Sequence, residues 1–365
     1  MRFFPILFAH FLSISVFASP VVNSDSPDIF DKNLVSTYTD RTQTIPVDRE
    51  NAYKKEIQLT SNQTSTSRFF HNDRKIMINC NLFQFNYKEK IPLSDVVNSY
   101  QEQFGRLPDT IGGKPKSTEY GTTMGISIAF VGRLGSKGLF IMPQSEIDLG
   151  LNHTYSGSSQ ALPIVDYYGD TIGVNFIPVD FSKSNYFFNS SLCLGYKSQS
   201  SPIPFALYSG LRINVWKRDM NSGALFSSYE RYTWLTIPVG LVFYKTFRSS
   251  WLSFEGVLDF MFYGQMKIMT QFYQSLYFPA VILGNKYGYS FELSAGKKLS
   301  NYLSFQISPF FTAYGFGISN VETVKSKSSY YDSENPVKFY EPESSTRKIG
   351  MKVFFNIHII DRIKR

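Results

Sequence analysis

The chain has 365 residues, 37 Lys and Arg against 29 Asp and Glu, a formal net charge of +8, and 17% aromatic but only 18% charged residues. A soluble domain so aromatic, with charge below the usual quarter, would need an unusually large core. The basic balance comes without zinc-finger spacing, a basic helix or an RNA-binding strand signature, which excludes the nucleic-acid class; Cys80 and Cys193 have no second Cys or His at metal-ligand spacing and are expected either as a disulfide or as two free thiols.

The N-terminus reads as a leader. Arg2 supplies a minimal positive start, Phe3 to Phe17 is almost wholly apolar, and Val16-Phe17-Ala18 presents compact residues where a signal peptidase cuts, so residues 1–18 are expected to be a cleaved signal peptide. The run is shorter than the roughly 20 residues a spanning helix needs, and Ser19-Pro20 ends it. Residues 19–72, rich in Ser, Thr, Asn and Asp without sustained periodicity, read as a flexible periplasmic segment, with a short plug in a lumen as the alternative.

From residue 73 to 361 the pattern changes to long alternating segments, which place one set of side chains on each face of a sheet. In chain order the apolar rows are Tyr120 to Phe130, Ile147 to Leu151, Phe188 to Tyr196, Phe205 to Val215, Leu235 to Phe243, Leu252 to Phe262, Tyr289 to Ala295, Leu303 to Phe311 and Ile349 to Ile357, each opposed by polar or small residues. A tenth segment, Lys75 to Tyr87, alternates less cleanly: Ile76, Ile78, Cys80 and Leu82 share one face and Phe83, Phe85 and Tyr87 the other, a flip that a bulge near Leu82 would explain.

Strands of β-sandwiches run about five or six residues, whereas a strand tilted across a bilayer needs roughly 9–11. The connections alternate between short turns near 132–138, 197–203, 246–250 and 297–301 and long polar segments at 88–117, 154–184, 219–230, 265–286 and 318–346, expected to be surface loops. Short periplasmic turns, long outer loops and an even strand count describe a closed antiparallel transmembrane β-barrel. About ten strands, within a range of 8–12, bring both ends of the barrel to the periplasmic side. Arg133, Lys137, Lys197, Lys245, Arg248, Lys297 and Lys298 sit in or beside the short turns, and Arg362, Lys364 and Arg365 form a basic tail at 362–365, where anionic headgroups would meet them. Gly132 to Gly138, glycine-rich but followed by no helix, is one such turn and not a phosphate loop.

Three phrases, Phe85-Asn86-Tyr87-Lys88-Glu89, Lys116-Ser117-Thr118-Glu119-Tyr120-Gly121 and Tyr340-Glu341-Pro342-Glu343-Ser344-Ser345-Thr346, resemble recurring stretches of small OmpA-like or porin-like bacterial outer-membrane barrels. The resemblance spans most of residues 75–360 and implies location and fold, not an activity. The last strand departs from the pattern, because it runs on past Phe355 to Ile359-Ile360 and does not end on an aromatic residue.

Within a barrel, the polar faces bring Glu146, Asp148, Arg212, Glu255, Asp259, Glu292 and Lys352 into the lumen. They are expected to form a paired network that fills the interior, or else the selectivity lining of a narrow channel. Trp216, Tyr232, Trp234, Tyr244, Trp251, Tyr263, Tyr287 and Tyr302 lie near strand ends, where an interfacial aromatic girdle belongs. His153, at the outer end of its strand and followed by Thr154, Ser156, Ser158 and Ser159, could serve acyl transfer in a lipid-modifying enzyme, but a histidine at a loop edge is expected to be a solvated polar residue. No catalytic residue, metal or cofactor is expected. The partners expected are the bilayer, the barrel-assembly machinery and a surface partner met through the loops 154–184 and 318–346.

Overall fold

The computed structural model describes residues 74–91, 93–94, 97, 101, 105, 107–112, 117–135, 138–165, 171–198, 203–221, 227–270, 276–326 and 338–359. The expected signal peptide and the expected flexible segment 19–72 lie outside the described residues, as does the expected basic tail. Residues 61–365 form one unit by themselves.

Each alternating segment becomes one long strand: β1 Lys75–Lys90, β2 Ser117–Leu134, β3 Leu139–Val165, β4 Thr171–Ser198, β5 Phe205–Asn221, β6 Ser227–Phe247, β7 Ser250–Thr270, β8 Tyr287–Lys298, β9 Leu303–Phe316 and β10 Glu343–His358. Every strand pairs antiparallel with its neighbours in sequence, and β1 pairs with β10 from Lys75↔His358 to Lys90↔Glu343, so the ten strands close into a barrel with no free edge. Short strands Thr110–Gly112, Leu276–Tyr277, Val281–Ile282, Glu322–Thr323, Lys325–Ser326 and Lys338–Phe339 decorate the end away from the short turns.

The apolar rows look outward. Ile126 is 61% exposed and Leu211 61%, and Met124, Leu194, Leu258, Leu293 and Ile349 share that orientation on their own strands. So many exposed aliphatic side chains in one band are what a barrel presents to hydrocarbon; no helix among the described residues is long and apolar enough to cross a membrane.

Three sequence readings are corrected. First, β1 has no bulge at Leu82: its register with β2 and β10 runs unbroken. The inner face simply changes chemistry, from Asn79 and Asn81 to Phe83, Phe85 and Tyr87, all buried. Second, most of the expected loop 154–184 is strand, since β3 runs to Val165 and β4 begins at Thr171; likewise only residues 222–226 separate β5 from β6. Above the apolar band the outward side chains are polar as well as the inward ones, so the strand loses the alternation that marks it in sequence. Third, the phase of two strands reverses at bulges. An extra residue at Leu151–Asn152 of β3, with Asn152 at φ 59°, turns His153, Tyr155 and Gly157 inward where Asp148 and Gly150 had been inward before. An extra residue at Phe262–Tyr263 does the same for β7. Both cysteines are free thiols, Cys80 exposed on the outer wall and Cys193 buried.

Candidate functional site

The lumen has two levels. Toward the turn end and through the waist lies a cavity of about 410 Å³, bordered at the turn end by Lys75, Arg133, Gly138, Lys197 and His358. It reaches up along β8 and β9 as far as Lys286 and Gly315. Six of the seven expected lumen charges line it, and Asp148 is buried beside them.

Those charges are brought together mostly as pairs. Arg212 Nη1 donates to both oxygens of Asp259, at 2.9 and 2.7 Å, and Lys352 Nζ donates to Glu292 at 3.0 Å. Asp148 lies 3.7 Å from the Lys348 ammonium, a residue sequence reading did not select. Glu146 accepts from Asn81 Nδ2 at 2.7 Å and Glu255 from the Tyr208 hydroxyl at 2.5 Å. The partners of each pair sit on strands that are not direct neighbours, so the pairs brace the inner wall as well as neutralising it.

Above the cavity, rings from opposite walls meet. Tyr87 on β1 and Trp216 on β5 have centroids 5.0 Å apart, Trp216 stacks on Tyr232 of β6 at 4.8 Å, and Tyr232 stacks on Phe316 of β9 at 5.6 Å. Ring pairs at these separations are in van der Waals contact and contribute roughly 0.5–1.5 kcal/mol each beyond their area. Phe83, Phe85, Phe187, Trp234, Met261, Met266, Val281 and Leu283 complete this cluster.

A buried ionic network caps the rings. Glu119 accepts from Arg218 Nε at 2.9 Å and from Asn185 Nδ2, faces His153 Nδ1 at 3.2 Å, and lies 3.8 Å from Lys183 Nζ. Arg218 also donates to Glu230 at 2.7 Å and Glu89 at 3.3 Å. Its guanidinium lies over the Tyr87 ring, and Lys183 lies over Tyr155. Glu341, on the chain just before β10, accepts from Tyr232 at 2.8 Å and Tyr87 at 3.1 Å. Burial, with Glu89 and Glu230 beside it, holds the Glu341 carboxyl well above the usual carboxylate range.

The aromatic girdle reading is corrected here. Trp216, Tyr232, Trp234, Tyr244 and Trp251 are all buried and face inward; Tyr263, Tyr287 and Tyr302 are exposed on the outside. Parity explains it. Trp216 shares its face with Arg212 and Asn214, Tyr232 and Trp234 share theirs with Thr236, and Trp251 shares its own with Ser253 and Glu255. Closeness to a strand end was the wrong guide.

His153 is likewise not a solvated loop residue. It has no exposed surface, its Nε2 lies 3.0 Å from Thr123 Oγ1, and its ring stacks on Phe85 at 5.2 Å. Gly121 and Gly150 make the room: a Cβ on either would lie 2.2 and 2.3 Å from the imidazole. The network's other members were missed because they sit beyond the alternating runs, although the three quoted phrases carry Glu89, Glu119 and Glu341.

No protein-family model and no curated protein matches the chain in sequence. Among solved structures it is similar to the outer membrane protease OmpT of Escherichia coli, at 8% identity over 78% of this chain and 96% of that one, with a TM-score of 0.50. The fold is that of a bacterial outer-membrane β-barrel. Two more such barrels match less well: the NalP translocator domain of Neisseria meningitidis (9% identity, 85% and 98% of the two chains, TM-score 0.35) and the toluene transporter TodX of Pseudomonas putida (7%, 82% and 93%, TM-score 0.31). At these identities the likeness is one of fold, and what an outer-membrane barrel does is set by its own lumen and rim.

Proposed function

We propose that this chain is an exported outer-membrane barrel whose outer end is sealed, and whose role is structural or surface-interacting, played by the walls and loops that rise beyond the bilayer. The turn end faces the periplasm in this reading, as short turns do in such barrels. A cleaved leader would deliver it, the barrel-assembly machinery would fold it, and the bilayer would meet the outer rows. The observation that carries the reading is the contact of Tyr87, Trp216, Tyr232 and Phe316 across the lumen. Rings from opposite walls in contact leave no space for a hydrated ion between them. The reading is non-enzymatic: His153 has both ring nitrogens engaged and no exposed surface.

Conductance in planar bilayers tests it. The native chain is expected to give no steady current, and Trp216→Ala with Tyr232→Ala is expected to open one. Steady currents from the native chain, abolished by bulk added to the lumen, would instead establish a narrow channel. That second reading is favoured by the cavity's reach along β8 and β9 to Lys286 and Gly315.

A further inference from the structure

Three cations share one rung of the outer wall. Lys217 of β5 is paired in register with Arg231 of β6, and Arg231 with Lys267 of β7. Their neighbours along each strand fix the direction. Trp216 and Arg218 are buried, Tyr232 is buried and Glu230 reaches the inner ionic network, and Met266 and Ile268 pack into the ring cluster. All three cations therefore point outward.

Directly opposed side chains of an antiparallel pair have Cβ atoms about 4.5–5.5 Å apart, and like charges placed there are destabilising. Asp219, two residues beyond Lys217 on the same face, answers one of them at 3.2 Å. Among the described residues Arg231 and Lys267 have no hydrogen bond or ion pair. The rung thus sets three positive charges against one negative, leaving two in excess.

Its height on the wall says what can reach it. Phe205 to Val215 of β5 is eleven residues, close to what a tilted strand needs to cross the hydrocarbon layer, and Lys217 is the next outward position. Below the rung the outward neighbours are Val215, Thr233 and Gln265, and below those Ile213, Leu235 and Tyr263. The Lys217 ammonium also lies over the rings of Tyr186 and Tyr229, at 5.5 and 4.6 Å. Rings with one apolar and one polar end belong at a membrane–water boundary.

We propose that this rung docks a lipid whose headgroup carries a phosphate monoester, the phosphate held by Arg231 and Lys267 with Lys217 beside them, and the acyl chains lying on the apolar rows below. A phosphate monoester carries about −1.5 to −2 charge at neutral pH, which matches the excess of two. Its oxygens also accept the paired N–H bonds of a guanidinium. A lipid is favoured over a soluble anion because the wall beneath the rung is already a surface for hydrocarbon. The reading of the turn end as periplasmic decides only that the lipid comes from the outer leaflet. Docking does not depend on the seal, so it stands or falls apart from the conductance test.

The full chain, folded in detergent, would be mixed with phosphatidic acid, phosphatidylglycerol and phosphatidylcholine of equal acyl chains, and the lipid it retains read by native mass spectrometry. Phosphatidic acid is expected to be retained in preference to the other two, and glycerol phosphate at equal concentration not to displace it. Arg231→Gln with Lys267→Gln is expected to weaken retention about tenfold or more, roughly 1.4 kcal/mol or more. Lys88→Gln removes an outward cation on β1, opposed by Thr118 and Ser345 and not by another cation, and is expected to change nothing. A second readout has opposite signs with and without lipid. In lipid-free detergent Arg231→Gln relieves two like-charge contacts and is expected to raise the denaturation midpoint, whereas with phosphatidic acid present the native chain is expected to gain more from the lipid than the variant does.

Equal retention of phosphatidylglycerol would overturn the proposal in favour of general attraction to anionic surfaces. Displacement by glycerol phosphate would overturn it in favour of a free-phosphate site, and no retained phosphatidic acid in favour of a soluble acidic partner. Unchanged retention in the folded double variant, or an equal loss in Lys88→Gln, would remove the rung from the binding altogether.

Discussion

Arg218 Nε donates to Glu119 Oε2 at 2.9 Å, between residues 99 apart in sequence and with side chains 2% and 0% exposed. The bond joins β2 to β5 across the lumen and ties the network to the ring cluster through Arg218's stacking on Tyr87 and Trp216. Removing one partner of a buried pair leaves the other charged and uncompensated, at a cost of about 3–5 kcal/mol. Glu119→Gln and Arg218→Met are each expected to lose stability of that size, and the double variant less than the sum. Denaturant unfolding in detergent, read by the gel mobility of unheated samples, measures it; additive losses would mean that the two residues do not act as a pair.

The glycines beneath His153 make a sharper test. Gly121→Ala and Gly150→Ala each push a methyl into the imidazole, and overpacking of this kind costs typically about 1–3 kcal/mol. In a His153→Ser background Gly150→Ala is expected to be nearly neutral, while Gly121→Ala keeps part of its loss, because its methyl also lies 2.9 Å from the backbone Cα of residue 153. Equal losses in both backgrounds would place the strain in the backbone and not in the ring contact.

Glu341 gives a pH dependence with a definite sign. Its folded carboxyl is held above the ordinary range by burial and by Glu89 and Glu230, against the pull of Arg218 and the Tyr232 hydrogen bond. The folded state therefore holds a proton that the unfolded chain has lost, so stability falls as pH rises above the ordinary carboxylate range and levels off only above the folded value. Hydrogen exchange at Tyr87 and Trp216 is expected to quicken over that window. Glu341→Gln, which cannot ionise, is expected to flatten the profile, and an unchanged slope would assign it to another group.

On the outer wall, Leu211→Arg places a charge in the middle of the apolar band, where it is expected to cost about 2–4 kcal/mol, while Phe205→Arg at the turn end of the same strand costs about 0–1. Folding titrations into lipid vesicles would show the difference. Equal costs would mean that the band does not contact hydrocarbon.

The barrel itself was legible in the sequence because a wall with lipid on one side and polar side chains on the other must alternate. Leu235 to Phe243 against Thr236 and Gly240 is such a record, and the structure keeps its register. The waist charges Arg212, Asp259, Glu292 and Lys352 were legible for the same reason. The seal was not. Phe83, Phe85 and Tyr87 are apolar on the inner face, so they looked like a phase error in β1 when they were the lumen's own core. Trp216 and Trp234 obeyed parity but were assigned by position. Glu119, Lys183 and Glu230 belong to strand ends above the membrane, where both faces are polar and alternation carries no information. Their pairing is set by distances between strands far apart in sequence, such as the 99 residues between Glu119 and Arg218, and no local pattern encodes it.

The single extra residue at Leu151–Asn152 also governs how the rising walls can change in length. Below it the even positions of β3 look inward, and above it the odd ones do. Deleting Asn152 would remove the bulge and restore plain alternation, with Gly150 inward, Leu151 outward and His153, Tyr155 and Gly157 still inward toward Glu119. The bulge residue can therefore be lost without disturbing the stopper, whereas a one-residue change in the regular stretch beyond it would turn everything between that point and the strand end inside out.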